Sequence, residues 1–125
     1  MVIQLAAILA AFIFLHAKHF LCDFVFQTEY QRRSKRNYGY LGGAVHALIH
    51  ALATTPVFIL LRPPLGLALA VFIGELFFHY HIDWLKERIL TERNWGPNDS
   101  GYWRTFGADQ ALHNLTYVGI IAVMS

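Results

Sequence analysis

Four long apolar stretches constrain this chain more than any other feature of its sequence. They run from Val2 to Phe26, Leu41 to Leu61, Leu65 to Leu85 and Ala108 to Ser125. A helix of about 20 apolar residues spans the hydrocarbon core of a bilayer. Hydrophobic residues make up 56% of the chain and charged residues 14%, and a small soluble fold has too much surface to bury so much apolar area. The sequence therefore predicts an all-α, four-helix transmembrane bundle in which residues 1–125 form a single domain.

Basic residues indicate how this bundle is oriented. The middle connection holds a single basic residue, Arg62, beside two prolines that end a helix. The other two connections hold the remaining clusters: Arg32, Arg33, Lys35 and Arg36 in the first, and Lys86, Arg88, Arg93 and Arg104 in the third. Because positive residues stay on the cytoplasmic side, we expect a multi-pass protein of the inner (cytoplasmic) membrane with both termini outward.

The two basic connections are also expected to differ in character. Residues 27–38 form a polar break, whereas residues 91–107 contain Gly96, Pro97 and Gly101 and predict an ordered loop. Such a loop would be able to close over a site as a lid. The net charge of +2 does not favour a nucleic-acid partner. Membrane lipids are the expected partners, together with a second copy of the chain or another membrane subunit.

Ionisable side chains inside the apolar stretches mark the candidate site. All seven histidines and four of the eight acids lie within these stretches or at their ends. Ionisable groups in hydrocarbon are costly, and they indicate a functional site by default. Each stretch contains one pair spaced four residues apart, which places both side chains on one face of a helix. The pairs are His19 and Asp23, His46 and His50, His79 and Asp83, and Asp109 and His113.

The positions of these pairs along their helices predict that they meet. Consecutive helices of the bundle run antiparallel, so pairs at one depth must alternate between late and early positions. The first and third pairs lie late in their stretches, and the second and fourth lie early. We therefore expect all four pairs to converge in the cytoplasmic half of the bundle. His16 and His81 are left out of this set, and His81 points away from the shared face at about 100° per residue.

This set of side chains favours a metal site. Five imidazoles and three carboxylates suit zinc, iron or manganese, and the only cysteine, Cys22, excludes a cysteine-based zinc site. The set exceeds what one tetrahedral ion needs, so either two ions bind or some members orient the others. The alternative is that the histidines hydrogen-bond across helices and the aspartates form salt bridges. The predicted metal ligands are His19, Asp23, His46, His50, His79, Asp83, Asp109 and His113.

The same residues carry a resemblance to a known family. The motifs are His19-Phe-Leu-Cys-Asp23-Phe-Val-Phe-Gln27-Thr, then His46, then His79-Tyr-His-Ile-Asp83-Trp-Leu-Lys86, and last Asp109-Gln110-Ala-Leu-His113. In this order they resemble the small bacterial and phage membrane proteins catalogued as domain of unknown function 3307, over nearly the whole chain. More distantly, the chain is similar to membrane-bound metal-dependent hydrolases, and that similarity implies hydrolysis only by analogy.

The leading functional hypothesis is a metal-dependent hydrolase that acts on a lipid or lipid-linked ester near the cytoplasmic interface. The metal would activate water, Asp83 or Glu75 would accept its proton, and Lys86 would stabilise developing negative charge. One alternative is a di-iron enzyme that hydroxylates or desaturates an acyl chain. Another is a non-enzymatic subunit whose structural metal or buried polar network supports binding to another membrane protein.

Overall fold

The structure, a computed structural model, describes residues 2–125, with side chains from Gln4 onward. It confirms the all-α prediction, and the described residues form no strand. The helices are α1 (Val2–Phe20), which continues into a π-helical turn (Leu21–Val25), α2 (Glu29–Ser34), α3 (Leu41–Ala53), α4 (Thr55–Leu61), α5 (Leu65–Arg93) and α6 (Ser100–Met124).

Three segments of the described chain are long and apolar enough to cross a membrane. They are Gln4–Val25, Leu41–Leu61 and Leu65–Arg93, which indicates a membrane protein. α6 has 25 residues, enough for about 37 Å of helix, but it is not among the three. Its first half carries Asp109 and His113 with neighbouring amides, which lowers its hydropathy. The predicted count of four spans is therefore not confirmed.

Two of the spanning segments depart from regular α-helix. The segment Leu41–Leu61 is broken between α3 and α4, because Pro56 has no N–H to donate to the carbonyl of Leu52. The Thr55 hydroxyl donates to that carbonyl instead, at 2.8 Å. At the end of α1, the N–H of Phe26 bonds to the carbonyl of Leu21 at 2.8 Å. Such π-helical turns are frequent at functional sites, and this one carries Asp23.

The predicted loop over residues 91–107 is wrong for most of its length. α5 continues to Arg93, where Asn94 ends it in a left-handed conformation, and α6 begins at Ser100. The intervening turn is held by the Trp103 indole, which donates to the carbonyl of Pro97 at 2.8 Å. Trp95 also packs so closely on Gly101 that a Cβ there would lie 2.4 Å from its ring. This short, tethered turn does not have the length of the expected lid.

The polar break over residues 27–38 also contains a helix that was not predicted. Thr28 accepts a hydrogen bond from the Gln31 N–H at 3.2 Å, while the Gln31 side chain accepts one from the Thr28 N–H at 3.0 Å. This reciprocal capping box starts α2. α2 packs against α3 and ends beside Lys35. Its Glu29 bonds to Arg32 and then to Arg33, and these bonds lower the pKa of Glu29 to about 2.

The packing divides the bundle into an apolar half and a polar half. α1 lies against α3, α4 and α6, while α5 packs against both α3 and α6. The apolar half is closed by buried side chains: Ala11, Leu15, Val57, Val71, Tyr117, Ile120, Ile121 and Met124. Large aliphatic side chains such as Ile13 and Ile59 stay exposed on the outside, as expected of a surface that faces lipid. The opposite end, which we call the basic end, carries α2 and residues 35–40 and 94–99.

Candidate metal centre

The four predicted pairs meet in the half of the bundle next to the basic end. α1 and its π-helical turn bring the first pair, α3 the second, α5 the third and α6 the fourth. Seven of the eight side chains are buried, and the Asp23 side chain is 9% exposed. His16 and His81 lie outside this cluster. His16 donates to the Phe12 carbonyl at 2.9 Å, and His81 lies 3.0 Å from the Tyr38 hydroxyl.

Within the described residues, the eight side chains form three groups that could hold a metal ion. In each group the candidate ligand atoms all lie within 4.8 Å of one another. We call them the four-residue group, the histidine group and the Asp83 group. Their members are Asp23, His46, His50 and His79 in the first; His19, His79 and His113 in the second; and Asp83, Asp109 and His113 in the third.

The four-residue group has the spacing of a coordination shell. Asp23 Oδ1 lies 2.9 Å from His46 Nε2 and 3.0 Å from His50 Nε2. The Nε2 atoms of His46 and His79 are 3.3 Å apart. Ligand atoms bound tetrahedrally at 2.0–2.1 Å from zinc lie about 3.3 Å from one another. These three separations are therefore close to those between the ligands of a bound ion.

Asp83 lies between this group and α6. Its Oδ2 atom lies 3.4 Å from the Nε2 atoms of both His46 and His79. Its Oδ1 atom lies 3.3 Å from His113 Nε2. Lys35, which follows α2, reaches in from the basic end to place its ammonium 2.8 Å from Oδ2. Asp83 thus contacts one histidine on each of α3, α5 and α6, together with one buried cation.

Three side-chain atoms of the cluster are buried without a hydrogen-bond partner. They are Asp109 Oδ1, His19 Nε2 and His50 Nδ1. The first lies 3.6 Å from His113 Nε2, and the second lies 3.1 Å from Asp23 Oδ2 without hydrogen-bond alignment. A buried polar atom left unpaired costs about 1–3 kcal/mol. A bound metal ion would give Asp109 Oδ1 and His19 Nε2 a partner, and both residues belong to the three groups.

The three residues predicted to be catalytic occupy different surroundings. Asp83 belongs to the cluster. Glu75 lies two helical turns before it on α5, outside the three groups, and forms a buried ion pair with Lys18. Lys86 also lies outside the groups, where its ammonium is 3.3 Å from Glu87 and 5.9 Å from the centre of the Phe106 ring.

Three residues that contact these side chains were not among the predicted site residues. Lys18 binds Glu75, Lys35 binds Asp83, and the Tyr117 hydroxyl lies 2.8 Å from His19 Nδ1. Two of them carried a usable signal: Lys18 is a charge within an apolar stretch, and Tyr117 follows His113 by four residues. Lys35 carried no such signal, because it belongs to a run of basic residues that the positive-inside rule already accounts for.

A cavity of about 760 Å³ connects the cluster to the basic end. Asp23 is the carboxylate of the three groups that lines this cavity. Gln110 also lines it and donates a hydrogen bond to Asp109 Oδ2 at 3.0 Å. Its other polar walls include four cationic residues: Arg32, Lys35, Arg36 and Lys86. The cluster is thus buried within the helices yet reachable from one end of the bundle.

Comparison with known proteins places the chain in one family. Residues 10–125 match the family described as "Protein of unknown function (DUF3307)". No curated protein and no solved structure matches the chain, and nothing in these comparisons supports the more distant similarity to metal-dependent hydrolases. The match covers almost the whole sequence and includes all eight side chains of the cluster. The chain therefore belongs to the DUF3307 family.

Proposed function

We propose that the cluster binds a divalent metal ion and that the protein is a hydrolase acting on a lipid or lipid-linked ester. The observation that carries the proposal is the spacing of the four-residue group, in which donor atoms from three elements lie within 4.8 Å of one another and three of the pairs lie 2.9, 3.0 and 3.3 Å apart. Hydrogen bonding between helices would not require so many donors to face one point. Zinc, manganese and iron all accept imidazole with carboxylate.

The chemistry proposed for this site begins with water that reaches the cluster through the cavity. A divalent ion held there would supply a water of lowered pKa and polarise the ester. Asp83 would serve as a ligand, and Asp23, which lines the cavity, would take a proton from that water and return it to the alcohol that leaves as the ester bond breaks. Lys86 faces the cavity and stabilises negative charge that develops on the ester. Glu75 neutralises Lys18 in this proposal rather than acting as the base.

A lipid substrate is proposed because of where the cavity lies. Its walls combine cations with aromatic side chains, among them Phe24, Trp95 and Phe106. It lies at the end of three membrane-spanning segments, where an ester between headgroup and hydrocarbon chain would be found. We propose that the basic end lies in the cytoplasm, as the positive-inside rule favours. α6 is proposed to be the fourth span, which leaves both termini on the outer side of the inner membrane.

The first test of this proposal is metal analysis of the detergent-purified chain. We expect stoichiometric metal in the wild type and its loss in His46→Ala/His50→Ala, with His81→Ala as a matched control because His81 lies outside the cluster. Hydrolysis of ester-containing lipids should follow the metal content and cease with a chelator. A wild type without stoichiometric metal would refute the proposal. Bound iron with oxygen-dependent turnover would instead favour an acyl-chain oxidase.

A further inference from the structure

We infer that the cluster holds two metal ions and that Asp83 bridges them. The inference rests on the metal binding proposed above, but it does not depend on hydrolysis. It concerns how the eight side chains are divided, which neither their spacing in sequence nor the family match determines. Three features of the cluster support it: two groups without a common member, the opposed contacts of the Asp83 oxygens, and the donor atoms that one ion would leave unused.

Two of the three groups can be occupied at the same time. The four-residue group and the Asp83 group share no residue. The histidine group, by contrast, takes His79 from one and His113 from the other. Filling the histidine group with one ion would leave the three carboxylates to other roles. Filling the two separate groups uses every side chain of the cluster except His19 and brings Asp109, with its unpaired Oδ1, into coordination.

The two oxygens of Asp83 face different groups. Oδ2 lies 3.4 Å from His46 Nε2 and 3.4 Å from His79 Nε2, both in the four-residue group. Oδ1 lies 3.3 Å from His113 Nε2, in the Asp83 group. A carboxylate that gives one oxygen to each of two sites is suited to hold two ions about 3.5–4 Å apart. No other carboxylate described in the cluster has contacts divided between these two groups in this way.

The two ions would not be equivalent. The four-residue group supplies four ligands of its own, to which the bridge adds Asp83 Oδ2, whereas the Asp83 group supplies three ligands and leaves a position open. Lys35 contacts Asp83 Oδ2 at 2.8 Å. Its ammonium would therefore either share that oxygen with the ion of the four-residue group or move away from it. The open position therefore belongs to the ion held by Asp83, Asp109 and His113.

The inference can be tested with Mn²⁺ alone, using the full chain in detergent. We expect two ions per wild-type chain and an electron paramagnetic resonance spectrum of an exchange-coupled pair. Asp83→Asn should abolish the coupling, and Asp83→Glu should restore it. His50→Ala and Asp109→Asn should each leave one uncoupled ion, while His81→Ala keeps the coupled pair. Circular dichroism identifies any variant that fails to fold, and the wild-type count and spectrum test the inference without variants.

The outcomes separate this inference from the proposed function. One ion per wild-type chain, or two without coupling, would overturn the bridge while leaving a metal-dependent hydrolase intact. Full coupling in folded Asp83→Asn would also overturn it. A coupled pair in a protein that hydrolyses no ester would sustain the bridge and refute only the hydrolase. Absence of bound metal would refute both the bridge and the metal-dependent hydrolase.

Discussion

The Lys35 ammonium lies 2.8 Å from Asp83 Oδ2, although the two residues are 48 positions apart and Lys35 follows the short helix α2 at the basic end. Both side chains are 4% exposed. The basic connection between α1 and α3 therefore contributes a buried cation to a cluster that otherwise comes from the long helices. This contact links the surface of the basic end to the cluster, and its removal should change the response of the protein to metal.

Lys35→Met should destabilise the metal-free protein more than the metal-loaded protein. Removing one partner of a buried ion pair costs about 3–5 kcal/mol, and an ion bound at Asp83 would offset much of that cost. Thermal unfolding in detergent with and without Zn²⁺ measures the difference. Arg33→Met is the control, since the Arg33 side chain is 74% exposed. An equal shift on metal addition in wild type and Lys35→Met would contradict this prediction.

The second buried pair, Lys18 with Glu75, should behave as a structural unit. Lys18→Met leaves the Glu75 carboxylate buried without its cation and should cost about 3–5 kcal/mol. Replacing both residues, as Lys18→Met/Glu75→Leu, should recover most of that stability. A double-mutant cycle of unfolding free energies measures the coupling.

The same double variant separates two roles for Glu75. We expect it to retain bound metal and ester hydrolysis, because Glu75 lies outside the three groups. If the folded double variant binds metal but hydrolyses nothing, Glu75 is the general base after all.

The first turn of α6 should tolerate no side chain at Gly101. A Cβ there would lie 2.4 Å from the Trp95 ring, so Gly101→Ala should lower the thermal midpoint. Gly107→Ala is a matched control on the same helix, since a Cβ at Gly107 meets nothing within 4 Å. Equal midpoints for the two variants would show that Trp95 can move away at no cost.

A reporter fused to the C-terminus distinguishes three spans from four. With the basic end in the cytoplasm, four spans place the C-terminus outside, whereas three spans leave α6 in the cytoplasm. We expect a signal from a reporter active only outside the membrane, and a second reporter inserted between residues 37 and 39 should be cytoplasmic. Activity of a cytoplasmic reporter at the C-terminus would exclude α6 as a span.

The elements of the fold differ in how far local sequence predicts them. Prolines, whose effect is local, predict where α3 and α4 end and where α5 begins. The length of the apolar stretches predicts the all-α class. Residues 91–93 and 100–107 are helical although a loop was predicted there. The turn-forming residues at 94–98 explain the break between α5 and α6, but they do not show where each helix ends. α2 was missed although its capping box is legible in Thr28 and Gln31.

The sequence alone was sufficient to select the eight side chains of the cluster and to predict that they meet. Both conclusions need only helical periodicity and the alternation of antiparallel helices, which are properties of the backbone. Tertiary structure alone decided which atoms face one another: the division into two separate groups, the opposed contacts of the Asp83 oxygens, and the cations Lys35 and Lys18 as partners. Helix rotation and side-chain reach over a few ångströms set these contacts, and periodicity does not encode them.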